Sequence, residues 1–524
     1  MLYEEGVESM FAYIARRLGV LVVILFGSSY ILYNLAAISG DPLEALRTSR
    51  EPNVKQQIIT LTRELRLDVP PPLRYFIWLR GILGIFVGRP DFGESRTGQE
   101  VSEMIALAIP TTFRLVAGAT VIAIVLGISI GIITALRQYS RFDYAMTFVA
   151  FLLFSLPIFW VAVLLKEFLA IQFNNFLGNP TITLPWLLGM ALFSGVFWSA
   201  VLSGDRKRVL IIFGSVFAAT AILLQILSVT KWFADPGFGP IVLFLLSIGV
   251  AFLITHISTG ISNQAALRSS LAMAVLTLVL YYPNQWLFEL EAKKIVFPIM
   301  IIVLFVVSGT VPLLFSRIDR GPIIRTSILS AFVMGLLTVV DKLMQTWKPY
   351  METDAVYYRP VPTFGQVNAL LEPGNFWMTF LDLLVHLFLP TTALLLISFA
   401  GYVRFSRGTL LEVLNQDYIR TARAKGLTER TVIMRHAFRN TMIPLTTIMV
   451  VDFAGIIGGA IITERIFGWI GMGTLFNQAI NSLDLNLLMG VFFITAFLAV
   501  SANLVADLLY SALDPRIRAI SRSK

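Results

Sequence analysis

The stretch TFRLVAGATVIAIVLGISIGIITAL (112–136) decides the fold class, because it contains only one charged residue, Arg114, and is long enough to cross a bilayer. A transmembrane helix needs about twenty mainly apolar residues. The whole chain of 524 residues has the same character, being 56% hydrophobic and 14% charged, with a mean hydropathy of +0.77. A soluble domain cannot cover so much apolar surface. The composition therefore predicts an all-α integral membrane protein.

Eleven further segments share this length and apolar character, so the sequence predicts about twelve spans. The least regular are 184–203 and 270–289, which Pro185, Pro283 and Asn284 flank or interrupt, and a re-entrant or half-buried helix is the alternative at both. The predicted spans are 18–38, 112–136, 145–172, 184–203, 209–230, 240–262, 270–289, 295–316, 323–345, 380–403, 441–463 and 487–511.

Basic residues are concentrated in alternate loops. The net charge is +9, and in membrane proteins Lys and Arg accumulate in cytoplasmic loops. If the amino terminus is cytoplasmic, the inner loops include the arginine-rich stretch 404–439 and the basic tail, while the outer loops hold few basic residues. This predicts a multi-pass protein of the cell (plasma or inner) membrane with both termini cytoplasmic. It also predicts an external subdomain at 39–110 and no nucleic-acid partner.

Metal-binding and catalytic residue types are sparse. Cysteine is absent, and His256, His386 and His436 are scattered with no nearby carboxylate at metal-ligand spacing. Thiolate sites are therefore excluded, and no metal site is expected. Nucleophiles and bases do not converge either, so a membrane enzyme is disfavoured and no catalytic residue is assigned.

The segment Asn415–Pro444 is basic and patterned for two short helices. Asn415 or Asp417 is expected to cap the first helix, Gly426 to end it in the left-handed conformation, and Thr428 to cap the second. Basic side chains would each cost about 2.5–3.5 kcal/mol at the bilayer centre, so the pair is expected on the cytoplasmic face. These basic residues are Arg420, Arg423, Lys425, Arg430 and Arg435.

Two functions would suit a basic loop at this face. It could hold anionic lipid headgroups, or it could bind another protein. The turn Ala422–Gly426 contains alanine and glycine, which a lipid-binding loop does not need. Small side chains let a partner surface approach the backbone closely, so a protein partner is favoured.

The sequence RTARAKGL (420–427), followed by Val432, His436, Arg439-Asn440 and Pro444, resembles the EAA loop of the dipeptide/oligopeptide permease family of ABC transporters. It has no glutamate where the wider superfamily begins its motif, and it follows the Ala-Arg-Ala-Lys-Gly form of the peptide branch. The resemblance implies that this loop docks on a separate nucleotide-binding ATPase. The implied coupling residues are Asp417, Tyr418, Arg420, Ala422, Arg423, Ala424, Lys425, Gly426, Leu427, His436, Arg439, Asn440 and Pro444.

Further matches occur in the family's order, over roughly 1–175 and 360–520. They include DFGES (91–95) and ERIFGWIGMG (464–473), which is similar to an external re-entrant turn but has Ile470 where the family usually has proline. The resemblance implies an external gate, or a docking site for a binding protein. The residues implied are Asp41, Asp91, Gly93, Glu464, Phe467, Gly471 and Gly473.

The middle of the chain departs from the family's usual six spans. The resemblance implies a six-helix type I ABC importer permease core, with about six additional transmembrane helices inserted between core helices 3 and 4. The insertion could pad the structure, bind another subunit or extend the lipid-facing surface. The predicted units are the first transmembrane segment 1–38, the external subdomain 39–110, core helices 2–3 at 111–177, the insertion 178–352, an external loop 353–379, core helices 4–6 at 380–514 with the coupling loop 404–440, and a cytoplasmic tail 515–524.

The resemblance implies a permease subunit of an ATP-driven importer that forms half of a pathway for peptides or a similar small solute. The chain has no Gly-Lys dipeptide and hence no Walker A loop, so ATP and Mg²⁺ are expected on partner subunits and no cofactor on this chain. The expected partners are a homologous second permease, two nucleotide-binding ATPase subunits, an extracellular solute-binding protein and the lipid bilayer.

Two alternatives remain open. The same kind of importer could carry oligosaccharides, nickel or glutathione. A secondary transporter would instead use intramembrane acids as proton or sodium sites. The candidate acids are Glu167, Asp341, Asp382, Asp452 and Asp507.

Overall fold

The computed structural model describes residues 2–49, 52–84, 88, 90–202, 204–291, 293–315 and 320–513, apart from the side chains of 2–14, 45, 453–459 and 506–513. Over these residues the chain is helical, and its only β feature is an isolated bridge between Glu94 and Glu100. The predicted all-α fold class is confirmed. The predicted tail 515–524 and the side chain of Asp507 lie outside the described residues.

The first third of the chain combines long apolar helices with a group of short ones. Helix α5 begins the helical core, and a π-helical turn, Lys166–Ile171, follows α7. The helices are α1 (Leu2–Ser39), α2 (Glu44–Thr48), α3 (Val54–Glu64), α4 (Pro71–Ile82), α5 (Val101–Leu136), α6 (Arg141–Ser155), α7 (Ile158–Leu165) and α8 (Gln172–Leu177).

The central and last thirds contain the remaining helices. A second π-helical turn, Val432–Ala437, precedes α19. The helices are α9 (Leu184–Leu202), α10 (Arg206–Val229), α11 (Gly239–Ser258), α12 (Gln264–Val279), α13 (Tyr281–Glu289), α14 (Lys293–Thr310), α15 (Arg320–Met351), α16 (Phe376–Leu414), α17 (Asp417–Ala424), α18 (Glu429–Thr431), α19 (Phe438–Gly459), α20 (Ile461–Phe467), α21 (Met472–Asn481) and α22 (Leu485–Leu513).

Ten helices of the described residues are long and apolar enough to cross a membrane, or up to eleven if the bent pair α12–α13 counts as one span. That pair, bent by 55°, covers the predicted segment 270–289, so the expected irregularity is present there. By contrast, the predicted segment 184–203 is one unbroken helix over its described residues, Leu184–Leu202. The predicted span 441–463 corresponds to α19, whose side chains are only partly described and which is not among the ten.

One predicted span has the wrong boundaries. The segment 145–172 was expected to be continuous, but α6 ends at Ser155 and α7 begins at Ile158. Leu156 is extended, with ψ 129°, because a residue before proline is disfavoured in the helical region, and Pro157 follows it. The membrane-crossing candidate in this region is 158–177.

Helices α5 and α16 form the centre of the core, running parallel. Gly127 and Gly131 on α5 face Tyr402 and Ser406 on α16, and a Cβ at either glycine would overlap the facing residue. This four-residue glycine spacing lets two membrane helices approach closely. The parallel order places the segment 39–110, which ends within the first turns of α5, at one end of the core. Residues 415–444, which follow α16, lie at the opposite end.

The central helices are joined by buried polar groups. Ser270 on α12 accepts hydrogen bonds from Thr255 on α11 (3.4 Å) and from Ser330 on α15 (3.1 Å). Hydroxyl pairs of this kind connect helices within a membrane. Asp341 on α15 is fully buried, and its Oδ1 accepts the backbone N–H of Phe238 at 2.7 Å. The central segment is therefore a specifically packed bundle.

Candidate functional site

The segment 415–444 folds as the predicted helix pair. Gly426 ends the first helix with φ +76°, and Thr428 caps the next by accepting the N–H of Thr431 at 3.4 Å; both predictions are confirmed. The predicted first cap is wrong. Gln416 occupies the cap position of α17 without a side-chain bond, because Asn415 still belongs to the end of α16, where its Nδ2 donates to the Leu411 carbonyl.

One face of the pair is anchored to the core. Ile419 is fully buried and Ala422 is buried beside it, and both pack in a cluster with Leu410 of α16, Ala135 of α5 and Val432. Burying an isoleucine side chain contributes about 1.5–3 kcal/mol. Because Ala135 and Leu410 are near the ends of the two central helices, the pair rests directly on the core and would move with it.

The other face is open. Residues 423–430 are exposed, and a Cβ added to Gly426 would meet nothing within 4 Å. Three large side chains nearby, Tyr418, Leu427 and Met434, are 42%, 40% and 59% exposed. These side chains leave apolar surface uncovered beside the polar turn.

Polar contacts fix the shape of this open face. Arg423 donates from Nη2 to Glu429 Oε1 at 2.6 Å and from Nε to Oε2 at 3.2 Å, bridging the two helices across the turn. These hydrogen bonds hold the pKa of Glu429 below its ordinary value. Asn440 Nδ2 donates to the Tyr418 hydroxyl at 2.9 Å and to the His436 carbonyl at 3.0 Å. The turn is therefore held in one arrangement before any partner binds.

The remaining predicted coupling residues are placed as follows. Arg420 pairs with Asp417 at 3.5 Å, with both side chains largely exposed. His436 is half-buried. Ala424, Lys425, Arg439 and Pro444 are exposed.

A buried ion pair beside this segment was missed by the sequence analysis. Asp143, at the start of α6, accepts Arg407 Nε at 2.8 Å and Nη2 at 3.0 Å. The Asp143 side chain is only 2% exposed, and Tyr139 N–H donates to it at 3.0 Å. The only sequence signal is the Ser-x-x-Asp spacing that begins α6, where Ser140 Oγ accepts the N–H of Asp143.

The turn 464–473 at the opposite end is held by a buried carboxylate. Glu464 is 0% exposed, and it accepts the Thr112 hydroxyl at 2.6 Å and the N–H of Thr474 at 2.8 Å. Thr112 accepts the N–H of Met472 at 2.8 Å in turn. The buried Glu464 carboxylate therefore holds the turn in place through these hydrogen bonds. Ile470, in the same turn, is 62% exposed.

Other predicted residues of this turn are also buried. Phe467 is 2% exposed, and Lys166 Nζ lies 5.1 Å from the centroid of its ring. Lys166 also donates to the carbonyl of Ile466 at 2.5 Å, a contact that the sequence analysis did not foresee. Gly471 leaves no room for a side chain, because a Cβ there would overlap Thr112 and Glu464.

Replacing Gly473 by alanine is expected to destabilise the protein by about 1–3 kcal/mol, the usual cost of overpacking. The added Cβ would lie 2.7 Å from Ile461 Cα, a backbone atom that cannot rotate away. Thermal unfolding in detergent measures the effect. Gly401→Ala is the matched control, since nothing lies within 4 Å of its added Cβ. Equal melting of Gly473→Ala and the parent would contradict the prediction.

The segment 39–110 packs on this turn region. Asp41 accepts the N–H of Leu43 at 2.9 Å and pairs with Arg47 at 3.3 Å. Asp91, which is exposed, accepts the N–H of Gly93 at 2.8 Å, and Gly93 has φ +83°. The predicted docking residues Asp41 and Asp91 are thus accessible at the same end as the turn 464–473.

Arg96 connects the two parts directly. Its N–H donates to Asp484 Oδ2 at 2.7 Å, and its guanidinium donates to the carbonyl of Ser482. Asn486 donates to the carbonyl of Glu94 at 2.8 Å. The segment 39–110 is therefore bound to the α21–α22 turn through both backbone and side-chain hydrogen bonds.

The expectation about histidines needs one correction. Asp382 is four residues before His386, and His386 Nδ1 lies 3.4 Å from Asp382 Oδ1, because residues four apart on a helix share one face. Within the described ranges, no group of three or more His, Cys, Asp or Glu residues could hold a metal ion.

Comparison with known proteins agrees with this geometry. The profile of the family described as "Binding-protein-dependent transport system inner membrane component" matches residues 257–519. The oligopeptide transport system permease protein OppB of Mycobacterium tuberculosis (strain ATCC 25618 / H37Rv) is 41% identical over 145 residues, which is 28% of this chain and 45% of that protein. The dipeptide transport system permease protein DppB of Escherichia coli (strain K12) is 43% identical over 147 residues, 28% of this chain and 42% of that protein.

These two alignments span less than half the length of the relatives they match. A third is longer: DppB of Alkalihalophilus pseudofirmus is 24% identical over 511 residues, 97% of this chain and 100% of that protein. Most of the central segment 178–352 therefore lies within that alignment. Because the family profile covers half of a multi-pass helical membrane chain, the protein belongs to the family of binding-protein-dependent transport system inner membrane components.

Proposed function

We propose that the chain is the permease subunit of an ATP-driven importer and forms half of a translocation pathway for dipeptides or oligopeptides. The observation that carries the proposal is the preformed turn at Gly426, open on one face and anchored to α5 and α16 on the other. A partner bound to the open face would push or pull directly on the two central helices. The peptide-transport names of the similar proteins support the cargo.

In this proposal the 415–444 end is cytoplasmic and both termini are cytoplasmic. Exposed Arg420, Lys425 and Arg430 favour that orientation, since basic residues accumulate on the cytoplasmic side. The opposite end, with the segment 39–110 and the turn 464–473, then faces outward. Exposed Asp91 and Ile470 and the half-buried Asp41 would be available there to a solute-binding protein.

In this proposal ATP is hydrolysed by other subunits. Two ATPase subunits would bind ATP and Mg²⁺, and one of them would contact Tyr418, Leu427 and the turn at Gly426. Closure of the ATPases would then move the core between inward-facing and outward-facing states. A second, homologous permease would supply the other half of the pathway.

The main rival, an ion-coupled transporter, finds little support in two of its candidate acids. Asp341 Oδ1 accepts two backbone N–H groups, and its Oδ2 accepts the Tyr281 hydroxyl at 2.9 Å and Gln345 Nε2 at 2.8 Å. Asp382 accepts the Tyr350 hydroxyl at 2.8 Å and the N–H of Asn368 at 2.9 Å. Carboxylates with this many donors are better suited to holding helices together than to exchanging protons or sodium.

The test is uptake of a radiolabelled dipeptide into proteoliposomes that contain the complete importer. We expect uptake to require ATP on the side of the vesicle membrane where the ATPase subunits lie. We also expect a proton uncoupler to leave uptake unchanged. A complex with inactive ATPase subunits is the control. Uptake that continued without ATP and stopped with the uncoupler would favour the ion-coupled alternative. ATP-dependent uptake of oligosaccharide, nickel or glutathione, with none of peptide, would retain the importer and overturn the cargo.

A further inference from the structure

A cavity of about 130 Å³ lies at the junction of α1, α4 and the α21–α22 turn. One water needs about 10–15 Å³ measured in this way, so the cavity can hold a group much larger than a single water. Its walls are mainly apolar, and Leu65, Leu67, Ile480, Leu483 and Leu488 contribute to them.

Close packing shapes this cavity. Gly40, where the chain leaves α1, also lines it, and a Cβ there would lie 2.7 Å from Leu483 Cδ2. The absence of a side chain at Gly40 lets the end of α1 approach the α21–α22 turn. The cavity is thus lined by elements far apart in sequence.

Arg74 on α4 is the basic residue in its wall. The residue is only 8% exposed, and its Nε is buried without a hydrogen-bond partner. Among the described residues, the guanidinium donates one hydrogen bond, which is long, 3.4 Å from Nη1 to the carbonyl of Leu65. Its other donors have no acceptor within that part of the chain.

No carboxylate of the described residues forms an ion pair with Arg74 within 4.0 Å. Asp484 also lines the cavity, but its two oxygens accept the N–H groups of Arg96 and Leu487. Arginine remains charged in proteins, and an unpaired buried charge is strongly unfavourable. An anion bound in the cavity would therefore stabilise the Arg74 guanidinium.

The position of the cavity indicates which anion. Residues Ala36–Ser39 end the candidate span Ala15–Ser39, so the cavity entrance lies at the boundary between the hydrocarbon core and the headgroups. Its walls combine the Arg74 guanidinium and leucine and isoleucine side chains with the Asp484 carboxylate, whose two oxygens already accept backbone N–H groups. A group that suits both features is a phosphate carried on an apolar chain.

We propose that this cavity binds a phospholipid, with Arg74 as the counterion of its phosphate and the leucine-rich walls around the first carbons of its acyl chains. The lipid would join α1, α4 and the α21–α22 turn, and so stabilise the segment 39–110 on the core. The proposal does not depend on the identity of the transported solute.

The test measures lipid retained by the purified full-length chain after delipidation and titration with ³²P-labelled phosphatidylglycerol, together with native mass spectrometry. Arg74→Gln is expected to weaken phosphatidylglycerol binding at least about tenfold. Arg80→Gln is the matched control, since Arg80 is exposed on the same helix, and it is expected to bind within about twofold of the parent. Arg74→Lys keeps the charge and is expected to recover part of the affinity.

Three results would overturn the proposal. The first is equal lipid binding by Arg74→Gln and Arg80→Gln. The second is retention of inorganic phosphate in the absence of lipid together with displacement of the lipid by phosphate, which would assign the cavity to a free ion. The third is that the parent protein retains diacylglycerol as well as it retains phosphatidylglycerol. Diacylglycerol has the acyl chains without the phosphate. This measurement needs no variant, so it applies even if Arg74→Gln fails to fold.

Discussion

Replacing Gly426 by aspartate is expected to lower ATP-driven uptake at least about tenfold, while the amount of protein inserted in the membrane stays unchanged. A Cβ at this position meets no atom of the described chain within 4 Å, so the side chain clashes with nothing, and the left-handed backbone (φ +76°) is the only source of strain. The side chain projects from the turn that a partner must approach, and it adds a negative charge between basic residues. A tenfold loss corresponds to about 1.4 kcal/mol of docking free energy, which one misplaced charge readily supplies.

Two variants separate docking from backbone strain. Gly426→Asn introduces a side chain of the same shape as that of Gly426→Asp, at the same positive φ, but without the charge. Asparagine tolerates the left-handed conformation. Gly98→Asp places the same charge at a glycine with φ +77° and equally open surroundings, but at the opposite end of the protein. Co-purification of the ATPase subunits and peptide uptake are the measurements. The docking prediction fails if Gly426→Asp retains the ATPase as well as Gly98→Asp does. Ala424→Glu is expected to act in the same direction.

The features of this turn were predictable because their causes are local. A left-handed residue after a helix favours glycine, and a threonine two residues later can cap the next helix through contacts within its own first turn. The first cap was misplaced because α16 continues to Leu414. Near that end, Leu410 is buried in one cluster with Ile419, and sequence spacing does not reveal this packing.

Long-range polar contacts were less predictable. Glu464 was expected near an external gate on resemblance alone, but its buried position depends on Thr112, 352 residues earlier. In the sequence, Arg74 cannot be distinguished from an exposed arginine of a mixed-charge segment, although the fold buries it. The surroundings of Glu464 and Arg74 depend on which helices pack together, although those helices are far apart in sequence. The hydropathy pattern indicates only which helices can enter the membrane.

Removing the carboxylate of Asp143 is expected to be the most destabilising single change near the coupling segment. Breaking one partner of a buried ion pair costs about 3–5 kcal/mol, because the other charge remains buried without a counterion. In Asp143→Ala that charge is Arg407, whose side chain is 27% exposed; partial hydration favours the lower end of the range. Thermal unfolding in detergent measures the loss.

The double variant Asp143→Leu/Arg407→Met provides the decisive comparison. It removes both charges, so it is expected to be substantially more stable than Asp143→Ala, since apolar replacement of a whole buried pair is often neutral. Asp417→Ala is the control: its partner is also an arginine, but both side chains are largely exposed, and little change is expected. If Asp143→Ala and Asp417→Ala melt at the same temperature, the Asp143–Arg407 ion pair does not stabilise the fold.

The position of the pair links its stability to coupling. Arg407 follows Ser406, which packs against α5, and precedes Leu410, which packs under Ile419. The pair therefore joins α6 to the part of α16 that supports the open turn. In Asp143→Ala protein that remains folded at low temperature, we expect ATPase subunits to bind but peptide uptake per ATP hydrolysed to fall. Unchanged uptake per ATP would limit Asp143 to a role in stability.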